Sequence, residues 1–405
     1  MNAVHLITGA TGFVGTALAL ELLSQTSVRI ACLTRVENDD AAAAQSRLER
    51  VLSEAAIAYG KPDIIGEIRK RCIAVPGDIV RPCCGEAAIG LKSVAQVWHC
   101  AASLKYKQEH QFEIFLQNVK GTRNVLDLAR FLHCAVFNHM STAYVAGRRP
   151  GRISEDLPAA DAQTNNCYEE SKIHAELLVC ASGIPARILR PSIVIGHSHT
   201  FAATSTAGLY GCIAELLKTR QRASRSKASF AIADYRLRML ANPEATLNLI
   251  PVDVLARNAV RLSLANAPAR VYHLANACPP TIDVVTRVVF SSLGMPQPLF
   301  VDSEEHFTPL DAALHRATRF YGSYLQQKKT FALDATNALL GLKASRCLLG
   351  EAQLRPYVDW YLAASSRRQP TAVSRRQDIV QYEGQEGFTS WPHPNSSQSL
   401  IQKPI

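Results

Sequence analysis

Thr8-Gly9-Ala10-Thr11-Gly12-Phe13-Val14-Gly15 is the stretch on which the reading of this chain turns. An apolar run, Val4–Thr8, precedes it and reads as a buried strand. Val14, Ala17, Leu18 and Leu22 follow and share one helical face. The glycines stand in GxxGxxG spacing. Gly9 permits a tight turn, Gly12 lets backbone approach a pyrophosphate, and Gly15 lets helix and sheet pack closely. The opening helix offers unpaired N–H groups and the positive end of its dipole to such an anion. A glycine triplet alone says little; between a strand and a helix it has the context this chemistry requires.

Outward from that loop, short apolar runs alternate with helical patterns. Val28–Leu33, Cys72–Val75, Ala95–His99 and Ala135–Met140 read as strands, and Ala186–Leu189 with Ile193–Ile195 continue the series. Helical spacing covers residues 40–58, 63–70, 112–132 and 168–181. The alternation predicts an α/β protein with a Rossmann-type doubly wound parallel sheet, right-handed crossovers and a ligand outside the carboxyl ends of the strands. After Gly196 the pattern changes. The expected division is a cofactor-binding domain over 1–196 and 247–290, and a smaller, partly helical substrate-binding region over 197–246 and 291–364. Residues 365–405, rich in Ser, Gln, Arg and Pro, read as a loose tail.

Composition narrows the class. The 405 residues are 47% hydrophobic, which excludes wholesale disorder, and no run approaches the length of a membrane-spanning helix. The net charge of +10 suggests acidic or phosphorylated partners. The cluster Lys218, Arg220, Arg222, Arg225 and Lys227, followed by Arg236 and Arg238, could meet such phosphates or acids, or be a solvated loop. No aromatic residues interleave with it, so nucleic acid fits poorly. Eleven scattered cysteines without a CxxC pair, and no secretory-type leading segment, set the expectation of a reducing, cytoplasmic location. His99, His139, His174 and His197 lack metal-ligand spacing, so no metal is expected. Cys100 and Cys167 read as small buried hydrophobes rather than nucleophiles.

The chemistry-bearing residues follow in chain order. At the end of the second strand, Arg35 suits a 2′-phosphate and therefore NADP(H). The alternative is a solvated Arg35 with Glu37 serving NAD. After the third strand, Asp78 in Gly77-Asp78-Ile79 could accept from an adenine amino group or form an Asx turn. Tyr168 and Lys172, at i and i+4, project from one helical face. The ammonium is expected to lower the phenol pKa, readying Tyr168 as proton donor to a carbonyl oxygen that receives hydride. Upstream, Met140-Ser141-Thr142-Ala143-Tyr144 ends a strand, and Asn118 lies in the preceding helix.

In this order the motifs resemble the extended short-chain dehydrogenase/reductase superfamily over residues 3–290. They are nearest to its fatty acyl-CoA reductase and thioester-reductase branch. Ser141-Thr142-Ala143-Tyr144-Val145-Ala146-Gly147 and Asn166-Cys167-Tyr168-Glu169-Glu170-Ser171-Lys172 favour that branch over sugar-nucleotide epimerases. The resemblance implies roles. Thr142, rather than Ser141, hydrogen-bonds the substrate carbonyl; Tyr168 protonates the oxyanion; Lys172 binds the nicotinamide ribose; Asn118 holds the geometry or a relay water. Gly9, Thr11, Gly12, Phe13, Gly15, Asp78 and Ile79 join Arg35 around the cofactor. Ala101 and Ala102 line it, and Pro191–Ile193 borders the nicotinamide. The implied reaction is NADPH-dependent reduction of an acyl thioester, on CoA or a separate carrier protein, to aldehyde or alcohol. The other expectations are reduction of a ketone, secondary alcohol or nucleotide sugar, or a non-catalytic NADP-binding regulator. Phe320-Tyr321-Gly322-Ser323-Tyr324-Leu325 is faintly similar to a family cap.

Overall fold

A computed structural model describes residues 3–158, 162–205, 207–225 and 235–367. The sheet strands are β1 (Val4–Thr8), β2 (Arg29–Thr34), β3 (Cys72–Pro76), β4 (Gln96–His99), β5 (Val136–Met140), β6 (Ala186–Pro191) and β7 (Val271–Leu274). The main helices are α1 (Phe13–Gln25), α2 (Ala41–Ala58), α3 (Gly121–Phe131), α4 (Cys167–Cys180), α5 (Leu209–Arg225), α6 (Val252–Leu264), α7 (Ile282–Ser292), α8 (Pro309–Gln326) and α9 (Glu351–Arg367).

All seven strands pair in parallel, in the order β7-β6-β5-β4-β1-β2-β3. The expected doubly wound sheet is therefore present, and the strand order reverses beside β1, where such a fold opens its crevice. Strand periodicity builds two cores. Ile7, Ile30 and Cys32 face α1, α2 and α6, whereas Leu6, Ala31 and Leu33 face α3 and α4. A third core joins α5, α7, α8 and α9 with Tyr144 and Ile195.

The local starts are legible in side chains. Asp40 caps α2 by accepting from the N–H groups of Ala42 and Ala43, and Thr308 with Asp311 forms a capping box on α8. Three expectations needed revision. The single helix over 112–132 is Gln111–Phe115, then a π-helical turn at Leu116–Lys120, then α3. Ile193–Ile195 leaves the main sheet and pairs in parallel with Leu249–Pro251. The basic cluster is partly structural: Lys218 pairs with Glu215, Arg238 with Asp311, and Arg220 and Arg236 donate to the carbonyls of Leu293 and Gln297. The side chains of Arg222 and Arg225, Lys227, and tail residues 368–405 lie outside the described residues; α9 runs through the first three residues assigned to that tail. Among the described residues, no helix is long and apolar enough to cross a membrane.

α1 and α6 pack together, and Leu255 is fully buried in the core they share, whereas Leu264 is 53% exposed. Leu255→Ala is expected to lower unfolding free energy by about 2–5 kcal/mol in chemical denaturation. Leu264→Ala should change it by less than about 0.5 kcal/mol. Equal effects would contradict this assignment of the core.

Candidate functional site

The glycine loop brings backbone against backbone. Gly9 has φ +74°, and a Cβ there would lie 2.6 Å from the Ala101 nitrogen. A Cβ on Gly15 would lie 2.1 Å from the Gly9 carbonyl oxygen. Neither position admits another residue without moving the chain. Gly12 begins α1 with no side-chain cap, and the first turn carries no acid. The leading N–H groups are therefore offered outward, as an anion requires. Thr11 and Phe13 are half-buried beside the loop, and Phe13 packs against two of the three cores.

Arg35 is exposed at the end of β2 and Glu37 is exposed nearby. The sequence reading missed Arg47: its Nη1 donates to the Arg35 carbonyl at 2.7 Å, so a second guanidinium stands at this strand end. The only sequence signal was a basic residue nearly two turns into α2. Asp78 uses Oδ1 to accept from the Val80 N–H at 3.1 Å, so the Asx turn does form. The Ile79 carbonyl accepts from Asn124. Ala101 and Ala102 are half-buried next to Gly9, Pro191 is buried and Ile193 half-buried. Between the last two, the Ser192 hydroxyl is buried without a partner. Close backbone approach, uncapped N–H groups, cations at β2 and an orphaned hydroxyl together fit a phosphate-bearing dinucleotide.

Asn166 caps α4 by accepting from the Glu169 N–H at 3.0 Å, and this sets Tyr168 and Lys172 on the first two turns. Lys172, 3% exposed, donates from Nζ to the Met140 carbonyl at 2.7 Å. Burial lowers its pKa to about 8, against the opposing pull of Glu176. The expectation for Tyr168 is corrected: burial first, and the neighbouring Glu169 charge second, push the phenol above its ordinary value. The ammonium is engaged with backbone, and the low-polarity surroundings disfavour phenolate.

Thr142 starts the short turn Ala143–Ala146, which packs on α4, and its Oγ1 accepts from the Tyr144 N–H at 3.2 Å. Its own O–H is thereby left to donate. Ser141 is differently committed: it donates to Glu176 at 2.5 Å. Glu176 holds Arg190 through two bonds of 2.9 and 2.7 Å, and Arg190 also reaches the Asp156 carbonyl. This network escaped the sequence reading, whose only hint was Glu176 lying one turn beyond Lys172.

Asn118 projects from the π-helical turn, the kind of distortion that marks functional sites. Its Oδ1 accepts from the Ser103 N–H at 2.7 Å, and its Nδ2 donates to the Ser103 carbonyl and the Ser171 hydroxyl. Ser171 in turn donates to the Tyr168 carbonyl. Asn118 thus ties the β4 loop to the tyrosine helix. Cys167 donates to Gln108, and burial pushes the Cys100 thiol up to about 12, which suits neither to attack. Among the described residues, no three His, Cys, Asp or Glu are grouped to hold a metal.

Known proteins share these features. The terminal R domain from the myxalamid PKS-NRPS biosynthetic pathway superposes with TM-score 0.71 at 24% identity, over 91% of this chain and 92% of that one, a likeness of fold. Glycine betaine reductase of Emericella nidulans is 28% identical over 304 residues, 71% of this chain but 22% of its own length. Fatty acyl-CoA reductase 1 of Mus musculus is 26% identical over 221 residues, 47% of this chain and 42% of that protein. The chain spans only about a fifth to a quarter of the length of three curated relatives it matches. The NAD-binding family model described as Male sterility protein matches residues 7–259, well over half the chain. The chain therefore belongs to the NAD-binding male sterility protein family.

Proposed function

We propose that this chain is an NADPH-dependent reductase of an acyl thioester, carried on CoA or a separate carrier protein and released as aldehyde or alcohol. The observation that carries this reading is the Thr142 hydroxyl. Its oxygen accepts from the Tyr144 N–H, which fixes it beside the helix that bears Tyr168 and Lys172, and its O–H is there to donate to a carbonyl oxygen. Residues 1–196 and 247–290 serve the cofactor, and 197–246 with 291–364 the substrate.

NADPH, when bound, supplies the hydride to the thioester carbon. Thr142 donates to the carbonyl oxygen as negative charge develops there, a preorganised stabilisation. Tyr168, held protonated by burial and by Glu169, gives its proton to that oxygen. The resulting hemithioacetal releases the thiol and leaves an aldehyde, open to a second round. Lys172 offers its ammonium to the cofactor ribose in place of the Met140 carbonyl. Asn118 keeps the β4 loop and the tyrosine helix in register. Arg35, assisted by Arg47, takes the 2′-phosphate, and the open N–H groups of α1 take the pyrophosphate.

A panel of acyl-CoA and acyl-carrier substrates is expected to drive NADPH consumption with stoichiometric thiol release. Tyr168→Phe should slow it by about 10²–10⁴-fold. Turnover of a ketone or secondary alcohol with none of any thioester would overturn the reading.

Lys172 sets a pH limb. The amine is protonated below about 8 and neutral above it. Turnover should therefore fall as pH rises through that value. Stability should move oppositely: between about 8 and the ordinary lysine value of 10.5 the unfolded chain binds the extra proton, so stability rises with pH there. Lys172→Met should flatten both profiles; unchanged profiles would exclude Lys172 as their source.

Arg35→Ser should reduce kcat/KM for NADPH by about 10–100-fold, the worth of one charge-assisted bond, with little effect on NADH. An equal loss with both cofactors would remove the 2′-phosphate assignment.

A further inference from the structure

Tyr324, near the end of α8, touches a close neighbour of each proposed catalytic hydroxyl, Thr142 and Tyr168. Its ring lies 4.5 Å from that of Tyr144, two residues after Thr142. Its hydroxyl donates to Oε1 of Glu169, the residue next to Tyr168, and accepts from the capping Asn166 at 3.3 Å. Glu169 has no exposed surface, and its carboxylate also accepts from the N–H and side chain of Asn165. The strand Lys329–Phe331 completes the clamp. Phe331 meets Tyr144 edge-on at 5.5 Å, and Lys329 donates to the Gly147 carbonyl, the far end of the Thr142 turn. Behind these residues the cavity lined by Tyr144, Tyr324, Gln327, Lys329 and Phe331 holds about 10 Å³. That is room for a single water at most.

We propose that Tyr324 is a positioning residue of the reductase. Its ring seats the turn that carries Thr142, its hydroxyl seats the helix that carries Tyr168, and the separation of the two is thus set from the C-terminal region. A buried carboxylate at the first turn of α4 needs its donors supplied in fixed directions. Three of them come from Asn165 and Tyr324, and only Tyr324 also holds the opposite wall. Sub-ångström errors between a carbonyl-binding hydroxyl and a proton donor are costly in rate, which gives such a brace a function beyond folding. The inference rests on the thioester-reductase reading for the roles of Thr142 and Tyr168, and on contacts alone for the brace.

Tyr324→Phe keeps the ring and removes the hydroxyl; Glu169→Gln keeps the volume and removes the charge. Each is expected to lower kcat by about 10–100-fold, on whichever thioester, aldehyde or ketone the protein reduces, with KM for NADPH unchanged. The combined loss in the double variant should fall short of the product of the two single losses, because both act on the Tyr324–Glu169 bond. Amide hydrogen exchange should accelerate at least about tenfold over residues 165–172 and stay unchanged over β1–β4. Unchanged local exchange, exchange raised equally throughout the sheet, or local exchange raised with kcat intact would each overturn the proposal. The exchange measurement needs no substrate, so failure of the thioester reading and failure of the brace are separate results.

Discussion

The Arg190–Glu176 pair has no exposed side-chain surface on either partner. Desolvating two such charges costs several kcal/mol each, and only full hydrogen bonding offsets it. Here the bonding is full: two bonds join the pair, Ser141 donates to Glu176, and Arg190 reaches the Asp156 carbonyl. Removing one partner from a site of this kind leaves an uncompensated buried charge, at about 3–5 kcal/mol. The pair therefore does less to raise stability than to forbid alternatives. It fixes α4 on β6, and through Ser141 it fixes the end of β5. Thr142 and Lys172 inherit their places from that anchor, one residue and one turn away.

Two chemistries meet at the carboxyl edge of the sheet. On one side, glycine backbones that tolerate no Cβ and a helix start without a cap make a surface for phosphate. On the other, burial tunes titrating groups in opposite directions. It drives Lys172 toward losing its proton and Tyr168 toward keeping its own. Asn118 spans the gap by bonding to both Ser103 and Ser171. The net charge of +10 is distributed in the same sense. Arg35 and Arg47 stand together at the end of β2, while Lys218 and Arg238 are paired with Glu215 and Asp311.

What could be read in advance was whatever obeys short-range rules. β1, α2 and α4 emerged within about a residue, because their periodicity and caps lie within a few positions of one another. The π-helical turn at Leu116–Lys120 did not, since nothing within it announces a departure from α-helical spacing. Its Asn118 bonds to residues 15 and 53 positions away. Ile193–Ile195 was placed in the sheet on apolar character alone; its partner, Leu249–Pro251, lies more than fifty residues on. The acidity of Tyr168 was misjudged because the i, i+4 spacing displays the ammonium but not the burial or the Met140 carbonyl that claims it.

The sequence by itself determined the class of sheet, the glycine loop, the order of Asn118, Thr142, Tyr168 and Lys172, and a cation at the end of β2. Each is a matter of residue type at fixed spacing, and spacing is local geometry. Only the tertiary structure decided that Ser141 serves a buried ion pair while the Thr142 hydroxyl accepts from the Tyr144 N–H, that Arg47 joins Arg35, and that Tyr324 reaches Glu169 across 155 positions. Those outcomes depend on which polar groups are taken out of water together. Desolvation is a property of the packed chain, and no window of sequence contains it.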